Sequence, residues 1–258
     1  MLDNSFDDAG SLYWKVSSYP EEFSTPWYIS LSTFLVMVGI FAYICIFFSP
    51  GVVMTYTIQS WIMNFTRHGV NIAAPFLVDG HILLRINGIL RLPALITASV
   101  TYTVWNFCLV PFLFLQFDKK QKKKDFLLWN FSFRLVQLHG CNIIYAITNT
   151  AIIGSDTSVP PFDFNDLWYA LAIGTGYAIF YILILDRLGL HLYPLFSPRW
   201  RFSGIAWFML ILCYVSLYWV WNHIIEQNLF PSLDVLCAIN AFLILAGWLM
   251  VKVLQIIV

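Results

Sequence analysis

Charge is what this sequence has least of. Among 258 residues, 14 Lys and Arg balance 14 Asp and Glu, and charged residues make up 11% of the chain, against about 25% in an ordinary soluble domain. Hydrophobic residues reach 60%, aromatics 18% and mean hydropathy +0.74. A chain this apolar cannot cover itself with polar side chains in water, so lipid must act as solvent for most of its surface. The zero net charge excludes the basic footprint of a nucleic-acid binder. Cysteine pairing is missing as well. Cys45, Cys108, Cys141, Cys213 and Cys237 stand singly in apolar stretches with no C-x-x-C, as small buried hydrophobes rather than a disulfide framework or zinc site. No G-x-S-x-G, H-E-x-x-H, P-loop or G-x-G-x-x-G element occurs in a usable context. Residues 1–26 are polar and acidic (Asp3, Asp7, Asp8, Glu21, Glu22). They lack the n- and h-regions of a cleaved signal and the Arg-rich character of a transit peptide, so the first span is expected to carry the targeting.

What is present is a succession of long apolar runs. A bilayer core about 30 Å thick needs about 20 such residues per helix. Residues 27–48, 92–117, 126–153, 167–185, 202–223 and 233–257 meet this requirement. The region 52–84 is the weakest candidate, interrupted by Arg67, His68, Asp79 and His81. The expected fold is therefore all-α: a polytopic helical membrane protein with six to seven transmembrane helices, forming one domain over 27–258. The only dense charge run, Asp118 to Asp125 with five lysines, forms a loop expected on the cytoplasmic or matrix-equivalent side. That side then also holds Arg187, Arg199 and Arg201, while the acidic N-terminus and the 154–166 loop fall outside, with Arg85 and Arg91 as exceptions. The organelle stays open between an endomembrane and the mitochondrial inner membrane.

Arg67-His68-Gly69-Val70-Asn71 is matched 71 residues later by Leu138-His139-Gly140-Cys141-Asn142. Each motif is followed by an apolar helix, a loop and a helix ending near a proline. This suggests a parallel helical-hairpin repeat with units 52–117 and 126–198. Ionisable groups within a span are costly and mark either a site or a buried pair. The candidates for ligand binding are His68, Asn71, Asp79, Arg134 and Asn142, together with His139. His68 and Asn71 share a helix face at i, i+3, as do His139 and Asn142, so the two pairs are expected to line a common polar cavity at similar depth. The plainer alternative is interhelical glue. A metal or haem site from His68, His81 and His139 is conceivable on facing helices, but nothing else supports it, and no metal or cofactor is expected. The tryptophans, among them Trp105, Trp200 and Trp207, read mostly as interfacial belt and lipid-facing packing.

The segment 138–198 carries Leu138-His139-Gly140-Cys141-Asn142, then Gly176-Tyr177-Ala178-Ile179-Phe180-Tyr181, then Gly189-Leu190-His191-Leu192-Tyr193-Pro194-Leu195. Over these roughly 60 residues the chain resembles the androgen-induced-protein and rolling-stone superfamily of small polytopic membrane proteins. In that superfamily an H-G-x-H or H-x-x-N helix precedes a Gly-Tyr-rich span ending in an aromatic-Tyr-Pro turn. The resemblance to the androgen-induced branch implies an intramembrane threonine hydrolase of fatty-acid esters of hydroxy fatty acids. Its nucleophile would fall on Thr33, and its catalytic histidine on Asn142, or on Asn71 in the first copy. A neutral amide cannot act as the general base, and His139, on the same helix face, is the residue left to take that role. Three readings follow. The first is a non-catalytic or weakly catalytic protein that binds lipid or acyl chains in an intramembrane polar cavity. The second is an accessory subunit of a larger membrane complex. The third is a lipid hydrolase using Thr33 and His139. Membrane lipids are the expected partners, with other membrane subunits under the second reading, and no nucleic acid.

Overall fold

The computed structural model describes residues 19–48, 50–78, 81–153, 161–190, 193 and 196–256, and among them there is no β-strand. Apart from a four-residue helical segment at Pro50–Val53, the helices are α1 (Thr25–Phe47), α2 (Tyr56–Ala73), α3 (Ile82–Ile89), α4 (Arg91–Gln116), α5 (Lys120–Asn130), α6 (133–153), α7 (Phe164–Leu185), α8 (Ser203–Glu226) and α9 (Leu233–Ile256). Local chemistry sets their ends. Ser24 caps α1 through Trp27 N–H, with Pro26 in the first turn, and α1 stops in extended backbone just ahead of the Ser49-Pro50 pair. Thr55 caps α2. Asp163 and Asp166 form a reciprocal capping box on α7. Asn228, with φ 52°, closes α8 in the left-handed conformation, and Leu229 N–H reaches back to Ile224.

Five of these helices, α1, α4, α7, α8 and α9, are long and apolar enough to cross a membrane. The other two long stretches differ in kind. On α2 the buried positions include Ser60, Asn64, Arg67, His68 and Asn71, so its inward face is polar and its amphipathicity is inverted relative to a water-soluble helix. In the region expected at 52–84 the long helix covers Tyr56–Ala73, ended by a tight turn at Ala74–Phe76 that contains Pro75, and α3 begins at Ile82. The region expected at 126–153 breaks at 131–132, and α6 begins at residue 133. The lysine run expected as a loop is mostly helical, forming the first turns of α5. Lysine is a good helix former, and nothing between Lys120 and Asn130 interrupts it.

The middle of the bundle is α4. Every residue from Arg91 to Thr101 is buried, and its small residues (Ala94, Ala98, Ser99) admit close neighbours. Helices α2, α6, α7 and α8 pack around it. One apolar cluster joins Leu92, Leu95 and Ile96 to Ile144 and Ile147 of α6 and to Tyr214, Tyr218 and Trp221 of α8. A second joins Met37, Ile40 and Ile44 of α1 to Ile58 and Trp61 of α2 and Leu138 of α6. The peripheral helices α8 and α9 keep most of their apolar side chains outward (Phe208, Ile211, Phe242, Trp248). Polar helices are thus sheathed by apolar ones. At one end of α4, Arg91 sits 3.8 Å from Asp166, donates to Pro161 O at 3.0 Å and covers the Phe162 ring.

Candidate functional site

The polar residues of α2 and α6 meet in a fixed order. Asn64 Nδ2 donates to Asn142 Oδ1 at 2.8 Å and to the Asn142 carbonyl at 3.3 Å, and Asn142 Nδ2 donates to Ser60 Oγ at 2.9 Å. His68 Nε2–H donates to Tyr145 O at 3.1 Å. Arg67 reaches Thr150 Oγ1 at 3.4 Å and Asn87 Oδ1 at 3.0 Å. Partners advance together along both helices, so α2 and α6 run parallel. The register also fixes depth. Because Asn64 pairs with Asn142 and His68 with Tyr145, His139 lies level with the stretch around Trp61. At 1.5 Å per residue it is about 10 Å along the axis from His68. The two H-G-x-N copies do not line a common cavity at one depth.

The first copy is closed. His68 is fully buried, and its Nδ1 lies 3.4 Å from Ser30 Oγ. Asn71 donates to Ser30 Oγ at 3.4 Å and accepts from Asn87 Nδ2 at 3.0 Å. Asn142 belongs to the same interior net through Asn64 and Ser60. Arg67 is wholly buried with no carboxylate within salt-bridge distance and its Nη2 unpartnered among the described residues. Asp79 lies outside the described residues. His81 caps α3 by accepting from Leu83 N–H at 3.2 Å, so the three histidines of the metal alternative do not converge.

The second copy opens onto a cavity of about 730 Å³ at the α5 end of the bundle, inside the range of about 300–1,000 Å³ usual for small-molecule sites. Its buried floor holds Ile58, Val100, Thr101, Leu138, His139 and Tyr181, and its exposed rim holds Phe48, Phe112, Trp129 and Trp200. Three wide π-helical turns, Val104–Leu109, Val136–Cys141 and Tyr181–Leu185, each contribute wall residues, and such turns are frequent at functional sites. The His139 ring stacks on Trp105 at 3.8 Å and 4°, while Trp105 Nε1 donates to Asn130 at 2.9 Å. Arg134 donates to Tyr43 OH at 2.7 Å with its guanidinium over the Tyr43 ring. Three buried polar atoms of wall residues, Thr101 Oγ1, Ser132 Oγ and His139 Nδ1, have no hydrogen-bond partner among the described residues.

A tyrosine seam builds the opposite wall. Tyr56 and Tyr214 share a hydroxyl–hydroxyl bond, Tyr193 OH accepts from Tyr56 N–H at 3.0 Å, and Tyr181 OH donates to Tyr193 O at 3.0 Å. Tyr177 OH donates to Met54 O at 3.1 Å. These bonds fasten the connection between α7 and α8 onto the start of α2.

Of the residues expected at a site, His139 and Arg134 line this cavity, whereas His68, Asn71 and Asn142 lie in the interior net. Thr33 is half-buried on α1 between Ser30, which meets His68, and Met37, whose carbonyl accepts from Trp61. It is absent from the cavity wall, and no hydrogen bond joins it to His139. Of the tryptophans read mostly as belt and lipid-facing packing, Trp105, Trp200 and Trp207 line the cavity, and Trp221 is buried in the core. Trp168, Trp219 and Trp248 do face outward. Sequence reasoning also missed Thr101, Ser132 and the tyrosines. The only hint of them was the Tyr177, Tyr181 and Tyr193 spacing inside the family-like segment. Comparison of the chain with family models, curated proteins and solved structures finds no match.

Proposed function

We propose that this chain is a seven-span membrane protein that holds an acyl chain of a membrane lipid in the aromatic cavity lined by His139, and that it binds its lipid rather than hydrolysing it. The observation carrying the proposal is the cavity itself: an apolar and aromatic wall drawn from many helices, a floor with few polar atoms, and three π-helical turns that contribute to its lining. The resemblance to the androgen-induced and rolling-stone superfamily is consistent with a lipid ligand. The separation of Thr33 from His139 weighs against threonine chemistry at this pair.

Seven crossings are supported by α2 and α6. At 18 residues, α2 is about 27 Å long, close to the bilayer core of about 30 Å. Its polar face is turned to protein, not lipid, as an intramembrane polar helix requires. Its parallel packing with α6 demands an antiparallel crossing between them, which α4 supplies. With seven crossings, the five lysines of 119–124, Arg134, Arg187, Arg199, Arg201 and Lys252 share one end with only three acids, Asp118, Asp125 and Asp186. Glu21, Glu22, Asp163, Asp166, Glu226 and Asp234 share the other with two basic residues, Arg85 and Arg91. The basic end, and the cavity mouth with it, is then cytoplasmic or matrix-equivalent.

Lipid mass spectrometry of the purified chain tests the binding reading. One lipid per chain is expected from the wild type, lost on Leu138→Trp and on Val100→Trp, which place an indole in the floor. Wild-type protein that is folded by thermal melt yet carries no lipid overturns it.

A further inference from the structure

We propose that the lipid this cavity accepts is an anionic one, selected by the lysines of α5 while its acyl chain occupies the aromatic cavity; the proposal rests on the acyl-binding reading above. Five lysines (Lys119, Lys120, Lys122, Lys123, Lys124) fall within six residues. Lys119, Lys120 and Lys122 are exposed, and Lys123 and Lys124 half-buried. The two acids beside them, Asp118 and Asp125, offset only part of this charge, two carboxylates against five ammonium groups, and Asp125 also accepts from Gln121 Nε2 at 2.8 Å. The run is not a detached tail. Helix α5 packs on the end of α4 and on α9. Lys123 Nζ lies 5.2 Å above the Phe114 ring, next in sequence to the wall residues Phe112 and Leu113. Two turns further on, the same helix supplies Trp129 to the rim, and after the break Ser132 and Arg134 join the wall. Arg134 flanks the cavity with its guanidinium 5.8 Å from the Phe48 ring. One cation, Arg134, thus stands in the cavity wall and Lys123 lies beside it, while Asp186, the acid of the neighbouring connection, is held by Arg199 at 3.4 Å and Ser197 at 2.7 Å.

A soluble anion would satisfy these cations and leave the apolar cavity unfilled. A zwitterionic lipid would fill the cavity and leave the cations unanswered. An anionic amphiphile does both. Basic segments beside a membrane attract anionic headgroups, an effect that falls off within a Debye length and so weakens with salt.

The test uses the full chain, stripped of lipid in detergent and given an equimolar mixture of dioleoyl phosphatidylglycerol and dioleoyl phosphatidylcholine, with bound lipid counted by native mass spectrometry. Phosphatidylglycerol is expected in roughly tenfold excess over phosphatidylcholine. Changing Lys119, Lys120, Lys122, Lys123 and Lys124 together to Gln is expected to keep one lipid bound and bring the ratio near parity, and changing all five to Arg to keep the preference. None of the five is fully buried, and the all-Arg variant, which keeps charge and stem, controls for the packing of Lys123 and Lys124. Equal retention of both lipids by the wild type, or a preference that survives the Gln substitutions, overturns the anionic reading and leaves the cavity reading standing. No lipid of either kind on the wild type sinks the cavity reading instead. Displacement of the bound phosphatidylglycerol by inorganic phosphate also overturns the proposal, because the acyl chain would then contribute nothing.

Discussion

The two copies of H-G-x-N invite the same reading from sequence and have opposite surroundings in the fold. Around His68 every ring nitrogen and both ends of Asn71 find protein partners, and the side chains have no exposed surface. Around His139 the ring lies on Trp105, its Nδ1 lacks a partner among the described residues, and the side chain borders the cavity. Asn142 belongs by sequence to the second copy and by contact to the interior net, because it faces α2 while His139 faces α4. Polar residues at equal spacing thus serve two purposes. One set holds helices together, and the other borders a cavity. What separates them is the register between α2 and α6, which offsets the copies by about 10 Å.

The largest expected effect breaks the closed side. Asn142→Leu removes two side-chain bonds and leaves Asn64 and Ser60 buried without them. Intramembrane bonds contribute about 0.6 and up to about 1.7 kcal/mol each, and a stranded buried polar group costs about 1–3 kcal/mol. A loss of about 2–4 kcal/mol is expected in thermal or denaturant unfolding in detergent. An Asn142→Leu protein as stable as wild type would mean that the net is not holding α2 to α6.

The motif glycines give a finer contrast. A Cβ at Gly69 would come within 3.0 Å of Phe34, whose ring is itself stacked on Phe65 at 4.7 Å. At Gly140 the nearest atom is Val136 Cγ1 at 3.8 Å, an ordinary contact. Gly69→Ala is expected to lower stability by about 1 kcal/mol, since a stacked ring gives way only by disturbing its partner. Gly140→Ala is expected to be neutral or stabilising by up to about 1 kcal/mol through helix propensity. Matching effects at the two glycines, read as matching shifts in melting temperature, would erase the distinction drawn between the copies.

Much of the fold was legible, because a bilayer dictates segment length and the apolar runs at 27–48, 92–117, 167–185, 202–223 and 233–257 nearly match α1, α4, α7, α8 and α9. The interrupted regions were less so. Arg67 and His68 lower the apolarity of α2 for the same reason that they bury it: only protein can satisfy them. The break before α6 has no proline or glycine to announce it, since Phe131 and Ser132 carry no strong turn signal. The cavity was the least legible part. Its wall joins residues as distant as Ile44 and Leu210, and an aromatic residue lining a cavity is the same letter as one facing lipid. Trp105 and Trp219 cannot be told apart without knowing which helices flank them.

The smallest expected change in stability comes at His139, and it is the one that tests the open side. Phenylalanine keeps a planar ring to lie on Trp105 and removes two nitrogens, one of them already without a partner. Losing an unsatisfied buried polar atom costs little, so His139→Phe is expected to melt within about 0.5 kcal/mol of wild type, the range of a substitution that breaks no special feature. The same change at His68 deprives Ser30 of a partner and inserts an apolar ring into the polar net, with an expected cost of about 2 kcal/mol. Lipid occupancy separates the two in the other direction. His139→Phe changes the cavity floor and is expected to alter the amount or kind of lipid recovered, while His68→Phe, measured where it remains folded, leaves it unchanged. If both histidines proved equally costly to stability and equally silent in lipid recovery, His139 would be glue like its counterpart, and the cavity would have to recognise its ligand through Arg134 and the lysines alone.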